Sequence, residues 1–148
     1  MKKQCIALSL AAVLFLGGCS ILEDVTNTAT YVKAATNYAN EVDTFVSEVP
    51  TLAEQAVNNK ETLLELETKL EEMKEDIKTF SELKAPAIAD DLHQQIVEQS
   101  QKSKEGIDSL LNKIKDGKLD PARLKNIEIF ESSQGIKDII EQIKQLGQ

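Results

Sequence analysis

The sequence predicts an all-α protein, an antiparallel up-down-up-down four-helix bundle with a kinked or split fourth helix. Three observations predict it. Apolar residues recur at alternating intervals of three and four along most of the chain after residue 20. The composition is that of helices: 148 residues include only 6 Gly and 3 Pro, no Trp, and an abundance of Ala, Leu, Ile, Glu, Lys and Gln. The breakers, at Pro50, Pro86 and Gly117 to Pro121, cut the chain into segments of about 25 to 32 residues, or roughly 38 to 48 Å of helix. Matched lengths and short turns favour neighbours that run antiparallel.

A different kind of segment stands ahead of the helices. Lys2 and Lys3 precede an apolar run from Ile6 to Leu16, then Gly17, Gly18 and Cys19, the charged, apolar, small order of a secretory signal. The run is too short to span a bilayer. Leu16-Gly17-Gly18-Cys19 resembles a bacterial lipobox, Leu-x-Gly-Cys, which implies a diacylglycerol thioether on Cys19, cleavage just before it and acylation of the new amine. Residues 1–18 then read as a removed signal peptide. Residues 19–148 read as one helical domain, lipid-anchored by its N-terminus on the extracytoplasmic face of the bacterial cell membrane.

Removing Lys2 and Lys3 but no acid takes the net charge from −8 to −10. So acidic a body argues against nucleic acid, whose phosphates reward basic patches, and against electrostatic docking on anionic headgroups. The lipid chains must hold alone, at about 0.8 kcal/mol per buried methylene. Cys5 leaves with the signal and Cys19 carries lipid, so no disulfide is expected.

In chain order, the first helix, about 22 to 48, places Tyr31, Ala35, Tyr38, Val42, Phe45 and Val49 on one face. From Thr26 to Asn40 the one charge is Lys33. A surface so poor in charge either lies deep in its own bundle or, around Tyr31 and Tyr38, meets a partner. Pro50-Thr51-Leu52-Ala53-Glu54 reads as the start of helix two, with Thr51 and Glu54 forming a capping box. Its stripe runs Leu52, Ala56, Leu63, Leu66, Leu70, Met73, Ile77, Phe80, and Asn58-Asn59 loosens or breaks it near its start.

Ala85-Pro86 stops helix two, and proline fits the first turn of a third helix with stripe Ile88, Leu92, Ile96, Ser100, Ser103, Ile107, Leu110, Ile114. Two serines thus face the core beside Gly106. They either permit close helix approach or line a cavity for water or a small apolar ligand. Gly117 suits a left-handed cap, Asp120 an N-cap and Pro121 a first turn. The fourth helix carries Leu124, Ile127 and Phe130, is interrupted at Ser132, Ser133 and Gly135, and resumes with Ile136, Ile139, Ile140, Ile143 and Leu146.

Few residues carry chemistry. His93 is the one histidine, expected on a rim near Asp90 and Asp91, and one histidine cannot supply the paired Glu-x-x-His ligands of a di-metal bundle. Glu71, Glu72, Glu75 and Asp76 interleave with lysines, so a solvated face is expected rather than a cation site. Nucleophile elbow and glycine-rich phosphate loop are both missing. The chain is therefore expected to be no enzyme, with no metal and no cofactor beyond the lipid on Cys19.

The lipobox, Glu48 to Ala56, Ala87 to Ile96 and Leu119-Asp120-Pro121 together resemble a family of small helical lipoproteins of Bacillus-type Gram-positive bacteria. The resemblance implies the outer face of the cytoplasmic membrane and a helical fold, and no activity or functional residue. Three functions stay open. One is a non-enzymatic module that binds an envelope protein through Tyr31 and Tyr38, another a carrier of a small apolar ligand or lipid near Ser100 and Ser103. The third is a carboxylate-only enzyme using Glu71 or Asp90.

Overall fold

The computed structural model describes residues 28–122 and 128–147. It holds four helices and, among the described residues, no strand: α1 (Thr28–Ala56), α2 (Lys60–Ser81), α3 (Asp90–Lys115) and α4 (Glu128–Leu146), with a 3-10 turn at Ala87–Ala89 leading into α3.

The first correction falls at Pro50. The expected capping box is not used, and α1 runs through Pro50 to Ala56. An interior proline costs about 3 kcal/mol, since it removes one hydrogen bond and crowds the preceding turn. Continuing the helix buries Ala53 and Ala56 in line with Val42, Phe45 and Val49 and packs Leu52 against the core, and this burial works against the loss. The break comes instead at the asparagines. Asn59 caps α2, its side-chain oxygen accepting from the amides of Glu61 (2.9 Å) and Thr62 (3.3 Å).

Pro86 separates α2 from α3, but α2 already ends at Ser81 and the proline, with extended backbone, precedes the 3-10 turn rather than sitting in the first turn of α3. The inner stripe of α3, however, starts one residue later than its periodicity reads: Ala89 and His93 are buried, while Ile88 is 63% exposed. Gly117, with φ of 66°, ends α3. The Lys118 amide bonds the Lys113 carbonyl (2.8 Å) and the Gly117 amide that of Ile114 (3.0 Å), the paired bonds of a Schellman motif. Asp120 accepts from the Ala122 amide at 3.1 Å. No split is seen at Ser132, Ser133 and Gly135: α4 is one helix from Glu128 to Leu146. Both serines are buried, and Ser133 returns its hydroxyl to the Phe130 carbonyl. Leu124 and Ile127 lie outside the described residues.

Each of α1 and α3 packs against both α2 and α4. Their contacts give the directions. Glu48 meets Lys69 while Tyr38 meets Phe80, so α1 and α2 run antiparallel. Lys74 reaches Asp108 while Phe80 meets His93, so α2 and α3 do too. Gly135 lies against Gln99 and Ser132 against Ser103 between α3 and α4, and Lys137 pairs with Asp43 and Gly147 abuts Val32 between α4 and α1. The interior is one apolar cluster drawn from all four helices. Among the described residues, no buried side-chain nitrogen or oxygen lacks a hydrogen-bond partner, and no helix is long and apolar enough to cross a membrane.

Candidate functional site

The chemistry of the molecule is concentrated near the start of α1. Tyr31 and Tyr38 are two helical turns apart on α1, and His93 and Ser100 are equally spaced on α3. The two helices run parallel across the core, so both pairs close at once: Tyr31 Oη lies 2.9 Å from His93 Nδ1, and Tyr38 Oη lies 2.8 Å from Ser100 Oγ. Phe80, from α2, stacks on the Tyr38 ring at 4.4 Å and 11° and lies tilted at 5.1 Å from the imidazole. One turn further on, Ser103 Oγ meets Ser132 Oγ at 2.9 Å and ties α3 to α4.

Burial sets the protonation of this cluster. It lowers the His93 pKa, against the smaller opposing effects of the Asp90 charge and a hydrogen bond to the Ser81 main chain. The imidazole is therefore neutral at physiological pH. With its proton on Nε2, it accepts the Tyr31 hydroxyl at Nδ1. Burial, and then the Asp90 charge, push the Tyr31 phenol far above its ordinary range. Tyr38 is pushed up to about 12, mainly by burial, with its Ser100 bond acting the other way. Neither phenol ionises, so these groups act as hydrogen-bonding core residues.

Tyr38 and Phe80 also form the floor of a groove of about 240 Å³ between α1 and α2, walled by Ala34 and Leu83 and rimmed by Glu41 and Asp76. No basic residue lines it. Loss of water, followed by the like charges of Glu41, Glu72 and Glu75, holds the Asp76 carboxyl above the usual carboxylate range. On the opposite flank of α2 the acids are neutralised. Asp108 lies 2.9 Å from both Lys74 and Lys104, and its hydrogen bonds to those lysines hold its pKa below the ordinary value.

Three expectations need correction. Tyr31 and Tyr38, candidates for a partner surface, are 0% and 5% exposed; their heptad spacing turns both inward. His93, expected on a rim, is 7% exposed, because the stripe of α3 passes through it. Ser100 and Ser103, candidates for a ligand cavity, are buried with their hydroxyls engaged by Tyr38 and Ser132, so protein atoms occupy the place of the ligand. Glu71, Glu72 and Glu75 are exposed as expected. Asp76 is not part of that solvated face, and periodicity alone hid its place in the groove. One signal for His93 was present: polar residues seven apart on each of two inner stripes are matched for pairing. Leu16, Gly17, Gly18 and Cys19 lie outside the described residues. Among those described, no three His, Cys, Asp or Glu side chains gather as a metal site.

Four helices around a satisfied, partly polar core, with a groove beside it, define a small helical protein whose class says little about activity. Residues 31–146 match the model of a family of unknown function, DUF6376, and the chain belongs to that family. It is 31% identical over 148 residues, the whole of both chains, to the uncharacterized lipoprotein YybP of Bacillus subtilis (strain 168). No solved structure matches it.

Proposed function

We propose that the chain is a lipid-anchored, non-enzymatic interaction module of the outer face of the cell membrane. It is an up-down-up-down bundle held at Cys19, with residues 1–18 removed, that offers the α1–α2 groove to a protein partner. The groove itself carries this reading: Ala34 and Leu83, half-buried over the buried rings of Tyr38 and Phe80, give it an apolar lining beside Glu41 and Asp76, with no cation among the lining residues. A Lys or Arg side chain from a partner would lay its stem along Ala34 and Leu83 and its charge between the carboxylates. At about 240 Å³ the groove is below the roughly 300 to 1,000 Å³ of small-molecule pockets, and it suits one inserted side chain. The full-length lipoprotein relative supports the anchor.

A photo-crosslinking residue at Asn37 or Thr79, both on the groove, tests the reading in cells. One defined partner is expected, lost in Glu41→Gln/Asp76→Asn and depleted in Cys19→Ala. Equal capture with the neutralised rim would overturn the groove as the contact, and unchanged capture and fractionation of Cys19→Ala would overturn the anchor.

A further inference from the structure

Each end of the helical array exposes an apolar side chain that the groove does not explain. At one end lie the start of α1, the end of α4 and the α2–α3 connection; at the other lie the α1–α2 turn and the loop after α3. The distal α1–α2 turn presents Val57, 51% exposed, beside Asn58-Asn59, and Asp116-Gly117-Lys118 opens the connection after α3. The α2–α3 connection contains four successive uncharged residues, Ala85-Pro86-Ala87-Ile88, and Ala87 and Ile88 face solvent. Ile88 would be buried if α3 kept the register its sequence pattern describes. Instead Ala89 takes the core position and the larger side chain points outward.

This is also the end nearest the anchor. Cys19 precedes Thr28 by nine residues, a span of at most about 30 Å even fully extended. The 29 residues of α1 carry the distal end about 43 Å further along the helix axis. We propose that the α2–α3 connection is a membrane-contact element: Ile88, presented by the Ala85-Pro86-Ala87 turn, enters the headgroup layer of the bilayer that holds Cys19, and the helices stand away from it. The occupant is a lipid surface, reached by short-range apolar insertion. Glu82, Asp90 and Asp91 outweigh Lys84 around the turn, so electrostatic attraction to anionic lipid is not the source of contact. The inference rests on the anchored reading above.

The chain contains no Trp, so single reporters are unambiguous. Ile88→Trp and Leu64→Trp replace two exposed apolar side chains, 63% and 55% exposed, and Leu64 lies in the first turns of α2, toward the distal end. Each full chain, matured in its host, is reconstituted in phosphatidylcholine vesicles with and without brominated acyl chains, and the mass of the Cys19 peptide is measured on the same sample. The expected result is a blue-shifted emission at position 88 that brominated lipid quenches by more than half, with position 64 unquenched. Ala87→Trp, also at an exposed site, should behave like position 88. A lipidated, vesicle-bound protein with equal quenching at both ends, or none at position 88, would overturn the contact and leave the anchor standing. An unmodified Cys19 in protein that fails to join vesicles would overturn both.

Discussion

The two halves of the interior are built by different means. Beside the start of α1, Tyr31, Tyr38, Phe80, His93 and Ser100 fill the core with rings and hydroxyls. Toward the other end Val49, Ala53, Leu66, Ile107, Leu110 and Ile114 fill it with aliphatic side chains. Aliphatic packing is non-directional and sets the size of the stabilisation. Hydrogen-bonded pairs add little net free energy each but cost much if left unmade. Two such pairs, both joining residues 62 apart in sequence, fix α1 against α3, because sliding either helix by one turn would orphan both. One half supplies stability and the other register.

That contrast is testable, beginning with the aliphatic half. Ile107, 0% exposed, should cost about 2 to 5 kcal/mol when cut to alanine, read by urea or thermal melts. Tyr31→Phe, which keeps the ring but leaves His93 Nδ1 without its donor, should cost about 1 to 3 kcal/mol. Equal losses for Tyr31→Phe alone and in a His93→Phe background would show that the pair is not coupled. Asn59→Ala, which removes the cap of α2, should cost about 1 kcal/mol, whereas Thr51→Ala should be close to neutral, since Thr51 lies inside α1.

Acid is the gentlest probe of the polar half. Burial lowers the His93 pKa below 6.5, the ordinary value, so below about pH 6.5 the unfolded chain takes up the proton first. Stability should therefore fall as pH drops from about 6.5 and level off once the folded imidazole titrates. Above pH 7 both states are neutral and the contribution is flat. Asp76, held high, acts oppositely at lower pH, because protonating it removes a charge from a partly desolvated site and then relieves repulsion from Glu41, Glu72 and Glu75. The difference between wild type and His93→Asn melts isolates the histidine, and identical pH dependence in the two would refute the assignment.

Periodicity determined the helical class, the inner faces of α1 and α2 and the aliphatic part of α3, since a repeat of 3.6 residues is a local property of the chain. Gly117 and Pro86 were legible as breakers because backbone geometry alone limits what they can do. The resemblance of Leu16-Gly17-Gly18-Cys19 to a lipobox is likewise a local pattern. What the tertiary structure decided were matters of competition between distant parts. Pro50 stays inside α1 because Leu52, Ala53 and Ala56 pack into the core beyond it, and α4 stays whole across Ser132 because Ser103 is there to bond it. His93 is buried more deeply than Leu92, which packs at the edge of the core, because Tyr31 waits across the core with a hydroxyl. A sequence pattern records which side chains avoid water, but not which distant group will satisfy a polar one, and that second question settled the core and the groove beside it.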